Sequence, residues 1–442
     1  MKRGNDGGVG QESRTAPALA SLLARLGALT LEPGFDLQRQ RALGIALRPY
    51  AEYEPKFGLF PLPDEAALAQ LYLHADYLPD DGQPSPIEQV RDTITTHVPE
   101  EERAWLDPLR HSNMDVLEVM ARREDGRLDV RSLGSGKTFP VEAGGSGIRC
   151  RAGQVLLTRV IRAGDRTVIP GVALVLSASN GRALFDGVDE WRRTMEVETG
   201  SFELAEWEEF AKRYGHVLLW RFAQVRLETL VRAEMRLQFR TPAGNPFLYA
   251  LALYEHHEQA ALSQGLAKLE GWRRASDGSG PASAERWVQG SAGVPVTARL
   301  TLTPTQLIVE CDSGSRLDRV KHQLASAFGF SLHFCGEATQ PPPHALPPVD
   351  LEEEEPGPGT VVVTREAEQD ILKSFLETVY LEWADRPSPS LNGKTPRHAA
   401  GEPEGRARVA TLIETLEKED LAARRTGTPG YAYARLRAHV GL

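Results

Sequence analysis

Cysteine is scarce in this chain, and its scarcity excludes two classes of small stabilised domain. The three cysteines, Cys150, Cys311 and Cys335, lie far apart in a sequence of 442 residues. A disulfide framework and a zinc knuckle both need cysteines in closely spaced sets. Neither is therefore expected.

Long apolar runs are also lacking. No stretch approaches the roughly 18 uninterrupted apolar residues that a membrane-spanning helix needs. The first residues, Met1-Lys2-Arg3-Gly4-Asn5-Asp6, do not carry the continuous apolar segment of a secretory signal. These absences predict a protein of the bacterial cytoplasm that has no membrane partner.

Basic residues are too few to balance the acidic ones. There are 51 Lys and Arg against 61 Asp and Glu, which gives a formal net charge of −10. This balance argues against a general affinity for nucleic acid, although a local basic patch is compatible with it. The 41% hydrophobic and 25% charged residues are ordinary for a folded protein, and the length predicts two to four domains.

Composition and periodicity predict a multidomain α+β protein. Short apolar runs with turn residues about every ten positions predict strands between about 114 and 185. The proline-rich stretch around Glu352–Glu355 has too little apolar surface to fold, which predicts a linker. The predicted segments are 1–12 (disordered), 13–112 (a helical N-terminal region), 113–200 (a small antiparallel β domain), 201–337 (long helices, then a ββαβ unit), 338–360 (a linker rich in Pro and Glu) and 361–442 (a C-terminal helical module).

One motif in the β region resembles a phosphate-binding loop. Leu133–Thr138 contains the Gly-Lys-Thr end of such a loop, but Arg131 stands where its first glycine belongs. A helix should follow the motif, and the strand-like Phe139-Pro140-Val141 follows instead. We therefore predict that Gly134-Ser135-Gly136 is a hairpin turn.

Local motifs predict no catalytic residue, metal site or cofactor. The run Glu255–Glu258 resembles part of a zinc-protease motif, but Ala261 stands where the second histidine is required. We interpret this run as the charged, solvated end of a strand. His333 and Cys335 would share one face of a strand, and two residues do not make a metal site.

The most specific motif lies in the C-terminal module. An apolar stripe that follows Thr364 predicts a long helix, which Pro387 and Pro389 end. Leu391 would anchor the following loop on the core. Asn392-Gly393 predicts a tight turn within this loop.

A short helix is predicted directly after this turn. Thr395 would cap it, and Pro396 would occupy its first position, where a missing N–H costs nothing. Gly401 stops it. A last helix then begins near Pro403.

The run from Trp383 to Ala400 resembles the toxin-binding C-terminal domain of Xre/MbcA/ParS-type antitoxins, which has a similar proline-flanked loop and short helix. The next helix of that family has a Gly, Val, Leu pattern, which is carried here by Gly405, Val409, Leu412 and Ile413. Together with Asp115–Leu176, the run also looks similar to uncharacterised bacterial proteins associated with the SEC-C motif. The zinc cluster of cysteines found in that family is missing here. The resemblance implies an antitoxin-like or regulatory protein with a toxin-like or regulatory protein partner.

The favoured hypothesis is a non-catalytic protein that binds a protein partner through its C-terminal module. The same residues would alternatively serve only to stabilise a small helical hairpin. The predicted partner-binding residues are Trp383, Pro387, Pro389, Leu391, Gly393, Lys394, Thr395, Pro396 and Arg397.

Two other functions stay open. In the first, the small β domain is a barrel that associates with nucleic acid, and its phosphate contacts are Lys137, Arg149, Arg151, Arg159 and Arg162. In the second, the protein is an enzyme of unrecognised type. That function requires one pocket to join several of His74, His216, Glu255, His256 and His333.

Overall fold

The computed structural model describes residues 9–79, 85–94, 98–143, 148–199, 206–275, 284–290, 295–339, 341–355, 357–418, 420 and 431–442. The chain divides into two units. Unit 1 comprises Met1–Met235 and Pro347–Gly357, and unit 2 comprises Arg236–Leu346 and Pro358–Leu442. Helices and sheets occur in both, which confirms the multidomain α+β class. Within the described ranges, no helix is both long and apolar enough to span a bilayer.

Helices form the first part of unit 1, as predicted for residues 13–112. Leu19, Leu22 and Leu26 lie on one face of the first helix and are buried with Ile87 and Trp105. That helix begins at Val9, so the predicted disorder over 1–12 is corrected for residues 9–12, while residues 1–8 lie outside the described residues. The helices are α1 (Val9–Thr30), α2 (Asp36–Ala46), α3 (Tyr50–Phe57), α4 (Pro63–Ala75), α5 (Pro86–Ile94), α6 (Glu100–Arg103) and α7 (Leu106–Arg110).

The predicted β domain is a small barrel. Its strands are β1 (Asn113–Arg122), β2 (Leu128–Ser132), β3 (Thr138–Ala143), β4 (Val155–Ala163), β5 (Arg166–Ile169) and β6 (Ala173–Leu176). Strand β1 pairs with both β2 and β4, so within the described part of the chain five strands close into a ring in the order β1-β2-β3-β5-β4. Strands β3 and β5 are parallel, and β6 extends the sheet from β4. Leu117, Val130 and Leu156 are among the side chains that fill this barrel.

The turn between β2 and β3 confirms the predicted hairpin at Gly134-Ser135-Gly136. Arg131 and Thr138 form the pair of residues next to the turn. Gly136 has a φ of 71°, a conformation that glycine adopts without strain. No phosphate-binding helix follows, because β3 begins at Thr138.

Three helices follow the barrel: α8 (Ala178–Thr199), α9 (Trp207–Arg213) and α10 (Gly215–Met235). Helix α8 lies inside the segment predicted as a β domain to residue 200, and this boundary is corrected. Leu184 and Val188, one helical turn apart, are both fully buried in the core of unit 1. Helix α9 ends just before Gly215, where α10 begins.

Part of the segment predicted as a linker packs against unit 1. Leu351 is 7% exposed, and its carbonyl accepts a hydrogen bond from the Ser177 amide at 2.7 Å. The Glu354 carboxylate accepts from the amides of Ala178 and Ser179 at the start of α8, at 3.2 and 3.3 Å. A carboxylate is stabilised at a helix N-terminus, so this acidic run has local partners.

The first elements of unit 2 are β7 (Gln238–Arg240), β8 (Ala250–Glu255), α11 (Gln259–Leu266), β9 (Trp272–Arg274), β10 (Glu285–Gln289), β11 (Ala298–Leu302), β12 (Gln306–Cys311), α12 (Gly314–Phe328), β13 (His333–Ala338) and β14 (Thr360–Val362), which pairs with β7 in parallel. Among the described strands, an antiparallel sheet has the order β13-β8-β12-β11-β10-β9. The predicted ββαβ unit is therefore part of a larger sheet, because its last strand, β13, pairs with β8.

The C-terminal helices cover one face of this sheet. They are α13 (Arg365–Trp383), α14 (Pro396–Ala399), α15 (Pro403–Lys418) and α16 (Tyr433–Val440). Leu251 and Leu253 of β8 and Ile308 of β12 are buried together with side chains of these helices. The alternate side chains of the same strands pack against α11 and α12 on the other face. The module predicted to be separate is therefore part of unit 2.

Candidate partner-binding site

Three of the predicted partner-binding residues are buried in unit 2. Trp383 is 6% exposed and Leu391 is 3% exposed, and both belong to the core that the sheet shares with the C-terminal helices. Pro396 is also buried, at the start of α14. These three side chains stabilise unit 2, as the structural alternative predicts.

Four other predicted residues are exposed: Pro387, Gly393, Lys394 and Arg397. The Lys394 ammonium group lies 2.6 Å from the Glu402 carboxylate. The Arg397 guanidinium lies 3.1 Å from Asp385. Both cations therefore have local counterions, and neither presents an unmatched charge. For Pro389, only the backbone belongs to the described structure.

The predicted turn and cap of this loop are confirmed. Asn392 and Gly393 have φ values of 57° and 76°, and the Gly393 amide donates to the Ser388 carbonyl at 3.0 Å. The Thr395 hydroxyl accepts from the His398 amide at 3.1 Å and caps α14. Local sequence therefore fixes the path of the chain between α13 and α14.

A cavity of about 70 Å³ lies between the sheet and the C-terminal helices, inside unit 2. On the sheet side, Glu255 of β8 stands directly opposite Gln306 of β12. Side chains alternate along a strand, so both point to the same face as Leu253 and Ile308, which pack on the helices. The lining residues are Glu255, His256, His257, Thr305, Gln306, Trp383, Ser390, Leu412, Thr415 and Leu416.

Trp383 is the last residue of α13 and contributes an unsatisfied donor to the structure. Its side chain lines the cavity, and its indole N–H has no hydrogen-bond acceptor among the described residues. A buried tryptophan N–H usually finds a partner. The nitrogen itself is buried, so other atoms of the Trp383 side chain line the cavity.

Glu255 contributes an unpaired carboxyl to the same cavity. No hydrogen bond or ion pair joins it to another residue in the described ranges, and burial raises its pKa to about 7. His256 beside it is buried, with Nε2 at 2.9 Å from the Thr303 carbonyl oxygen. The predicted solvated strand end is corrected for these two residues, whereas His257 and Glu258 are exposed.

The basic residues predicted to contact phosphate do not form one exposed patch. Arg159 is fully buried, where its guanidinium pairs with Asp76 and donates to the Ser112 hydroxyl at 2.8 Å. It points to the interior because its buried pairing with Asp76 compensates both charges. This assignment is corrected, since a residue without exposed surface does not reach a phosphate.

The remaining members of this set differ in their partners. Lys137 and Arg162 are exposed, but both lie near the Glu208 carboxylate, at 3.1 and 3.9 Å. Arg149 and Arg151 are exposed at the start of the loop that leads into β4. Within the described residues, the side chains of these last two arginines have no acidic partner.

The residues named for an enzyme belong to different units. His74 and His216 lie in unit 1, where burial lowers the pKa of each to about 4. His333 is exposed on β13 of unit 2. Of the five groups, Glu255 and His256 line one cavity. The described part of the chain contains no group of three or more His, Cys, Asp or Glu arranged to hold a metal.

The sequence prediction missed most of this cavity. Thr305, Gln306 and Thr415 line it, and none of them belongs to a local motif. The available signal is the period-2 pattern of β8 and β12, which places a polar residue at one end of each apolar face. That pattern does not reveal which strands pair or which helix covers them.

No protein-family model, curated protein or solved structure matches this chain.

Proposed function

We propose that this protein is a non-catalytic regulatory protein that binds a polypeptide partner at the cavity of unit 2. The observation that carries this proposal is the cavity itself, whose wall combines the Trp383 side chain and the Ser390 loop with the Glu255 carboxyl. That carboxyl has no hydrogen bond or ion pair among the described residues. Buried polar groups are normally hydrogen-bonded, so a partner that donates to this carboxyl gains a contact that the free protein lacks.

The size and walls of the cavity support a polypeptide rather than a larger organic ligand. A volume of about 70 Å³ holds roughly five water-sized groups, which suits one side chain. Leu412 and Leu416 form an apolar wall, and Ser390 brings in the loop that the sequence singles out. The resemblance of that loop to antitoxin domains narrows the proposed partner to a toxin-like or regulatory protein.

The experiment is selection of a random displayed-peptide library on the full chain. Two variants probe the cavity: Ser390→Trp adds bulk to its wall, and Glu255→Met removes the carboxyl acceptor but keeps a side chain of similar length. We expect enriched peptides whose affinity falls about tenfold in Glu255→Met, the loss of one buried hydrogen bond, and disappears in Ser390→Trp.

Glu258→Met is the matched control. Glu258 lies in the same unit, is exposed and is outside the cavity lining. Peptide affinity should stay unchanged in this variant. If no peptide is enriched on the natural chain relative to Ser390→Trp, the proposed function is refuted.

The closed barrel of unit 1 favours a second candidate, association with single-stranded nucleic acid. Five-stranded OB-fold barrels bind oligonucleotides. Arg149 and Arg151 are the members of the predicted basic set without an acidic partner in the described structure. Oligonucleotide binding should weaken with salt, and Arg149→Gln with Arg151→Gln should reduce the salt slope by about 2. A titration without binding at low salt would exclude this role.

A further inference from the structure

The outer side of helix α2 in unit 1 is both apolar and basic. Gln38, Ala42 and Ala46 form the buried side of this helix. The outer side, called here the α2 face, consists of exposed residues at helical spacing: Leu37, Gln40, Arg41, Gly44, Ile45 and Arg48. None of them is acidic, although the chain as a whole has a net charge of −10. The α2 face is therefore complementary to a surface that carries carboxylates.

Arg48 is held at one end of the α2 face by an aromatic ring. The indole N–H of Trp220 donates to the Ile45 carbonyl oxygen at 2.6 Å, in the last turn of α2. The Arg48 guanidinium lies 5.7 Å from the centre of the same ring, in a cation–π contact. This contact limits the positions of the Arg48 side chain, so less conformational entropy is lost when it binds a carboxylate.

Arg41 is the second cation of the α2 face. Among the described residues, neither Arg41 nor Arg48 forms an ion pair with a carboxylate. Asp36, the acidic residue of α2, pairs with Arg39 instead. Arg41 and Arg48 are seven positions apart, close to two helical turns, so they lie on the same side. Two carboxylates seven positions apart on a second helix match this spacing.

Gly44 lies between the two arginines and leaves room for a close contact. A Cβ atom added there would have no neighbour within 4 Å in the described structure. Glycine in a helix interior costs about 0.5–1 kcal/mol relative to alanine, and it allows another group to approach the backbone closely. Leu37 and Ile45 add apolar surface on the same face, since they are 58% and 36% exposed. The α2 face thus combines an open apolar region with a cation on each side of it.

We infer that the α2 face binds an acidic amphipathic helix of a polypeptide partner, with carboxylates at Arg41 and Arg48 and an apolar side chain packed at Gly44. An anionic membrane surface is the weaker match, because basic segments that bind such surfaces carry about four to eight lysines or arginines. The net charge of −10 also opposes approach to anionic lipid. This inference goes beyond the proposed function, since the α2 face belongs to unit 1 and the cavity to unit 2.

The test is selection of a phage-displayed library of Ala-rich helices, varied along one face, on the full chain. We expect enriched helices to carry Asp or Glu at two positions seven apart, with an apolar residue between them. Their affinity should fall about tenfold in Arg41→Gln with Arg48→Gln, the loss of two exposed ion pairs, and should weaken as salt is raised. Arg182→Gln is the matched control and should leave affinity unchanged, because Arg182 is an exposed residue of α8 that pairs with Asp186 at 2.9 Å.

Gly44→Met separates binding from folding. Methionine is a better helix former than glycine, so this variant should be at least as stable as the natural chain. Its side chain would occupy the open region between the arginines, so affinity for the enriched helices should fall about tenfold. Equal affinity in Gly44→Met or in the double arginine variant would overturn the inference. So would the absence of any helix enriched on the natural chain relative to the double variant.

Two further outcomes distinguish this inference from other roles. Ser390→Trp, which adds bulk to the cavity of unit 2, should bind the enriched helices as tightly as the natural chain. Loss of binding in that variant would assign the helices to the cavity and overturn the inference. Vesicles of phosphatidylcholine and phosphatidylglycerol are the second probe. If they bind through Arg41 and Arg48 while no helix is enriched, the α2 face is a membrane contact and the polypeptide partner is refuted.

Discussion

Trp207 donates its indole N–H to Oδ1 of Asp115 at 2.7 Å, although the two residues are 92 positions apart. The Ser132 hydroxyl donates to the same oxygen at 3.0 Å. The second oxygen, Oδ2, is buried without a hydrogen-bond partner among the described residues. Burial outweighs these hydrogen bonds and raises the pKa of Asp115 to about 6. One carboxyl thus joins β1, the hairpin and α9.

Replacement of Asp115 by asparagine should change how stability depends on pH. The carboxyl pKa is 3.8 in a model peptide and about 6 in the fold, so its protonated form favours folding. That contribution is fully present below pH 3.8 and is lost as pH rises to about 6. Its size is of the order of 3 kcal/mol.

Asparagine keeps an oxygen acceptor for Trp207 and does not ionise. The free energy of unfolding of Asp115→Asn should therefore rise relative to the natural chain as pH increases from 4 to 6. Urea titrations followed by tryptophan fluorescence measure it. A difference that stays constant over this range would show that Asp115 does not titrate as proposed.

Arg159→Met should destabilise unit 1 by about 3–5 kcal/mol, because it leaves Asp76 with a buried charge whose remaining ion pair, among the described residues, is with Lys212. Arg162→Gln is the control, since the exposed Arg162 should change stability by less than about 0.5 kcal/mol. Chemical unfolding of both variants measures this. Equal stabilities would contradict the structural role of Arg159.

Local sequence was sufficient for the features that depend on near neighbours. These features are the helical start of unit 1, the hairpin at Gly134 and the Thr395 cap. All three follow from spacing or from residues within one turn. Helix α8 was missed although Leu184 and Val188 have helical spacing, because the strand pattern before it was extended too far. The helical spacing is present in the sequence, and the error is in where the strand region is taken to end.

Long-range pairing explains the other differences. From its neighbours in the sequence, Arg159 is expected to be a surface cation. The structure places Asp76, 83 positions away, beside it. From its composition, the acidic run is expected to be a linker. In the structure, the Glu354 carboxylate accepts a hydrogen bond at the start of α8. Glu255 was recognised as a polar strand end, but its cavity exists only because α13 and α15 cover that face of the sheet. In each case the interacting residues lie far apart in the sequence, so a short stretch of sequence does not reveal the contact.

Thr395→Ala should destabilise unit 2 by about 1 kcal/mol, the usual value of a lost N-cap. The hydroxyl accepts from the His398 amide, and alanine leaves that amide without its partner. Thr411→Ala on the exposed face of α15 is the control and should be neutral or slightly stabilising, because alanine has the higher helix propensity. Thermal or urea unfolding measures the stability of both variants. Equal changes in stability would argue against a stabilising N-cap at Thr395.

Gly134→Ala tests why glycine stands in the hairpin that resembles a phosphate-binding loop. A Cβ atom added to Gly134 would lie 1.9 Å from the Trp207 ring, so the ring or the turn must shift. Forced overpacking of this kind costs about 1–3 kcal/mol. It should also disturb the Trp207 hydrogen bond to Asp115, so tryptophan fluorescence should change in the folded state.

The control for this steric effect is Gly44→Ala in α2. A Cβ added there has no neighbour within 4 Å, and alanine in a helix interior is favoured over glycine by about 0.5–1 kcal/mol. The same substitution should therefore destabilise the chain at Gly134 and stabilise it at Gly44. If both substitutions change the free energy of unfolding in the same direction, the Trp207 ring must move aside freely. In that case, close contact with Trp207 would no longer account for the glycine.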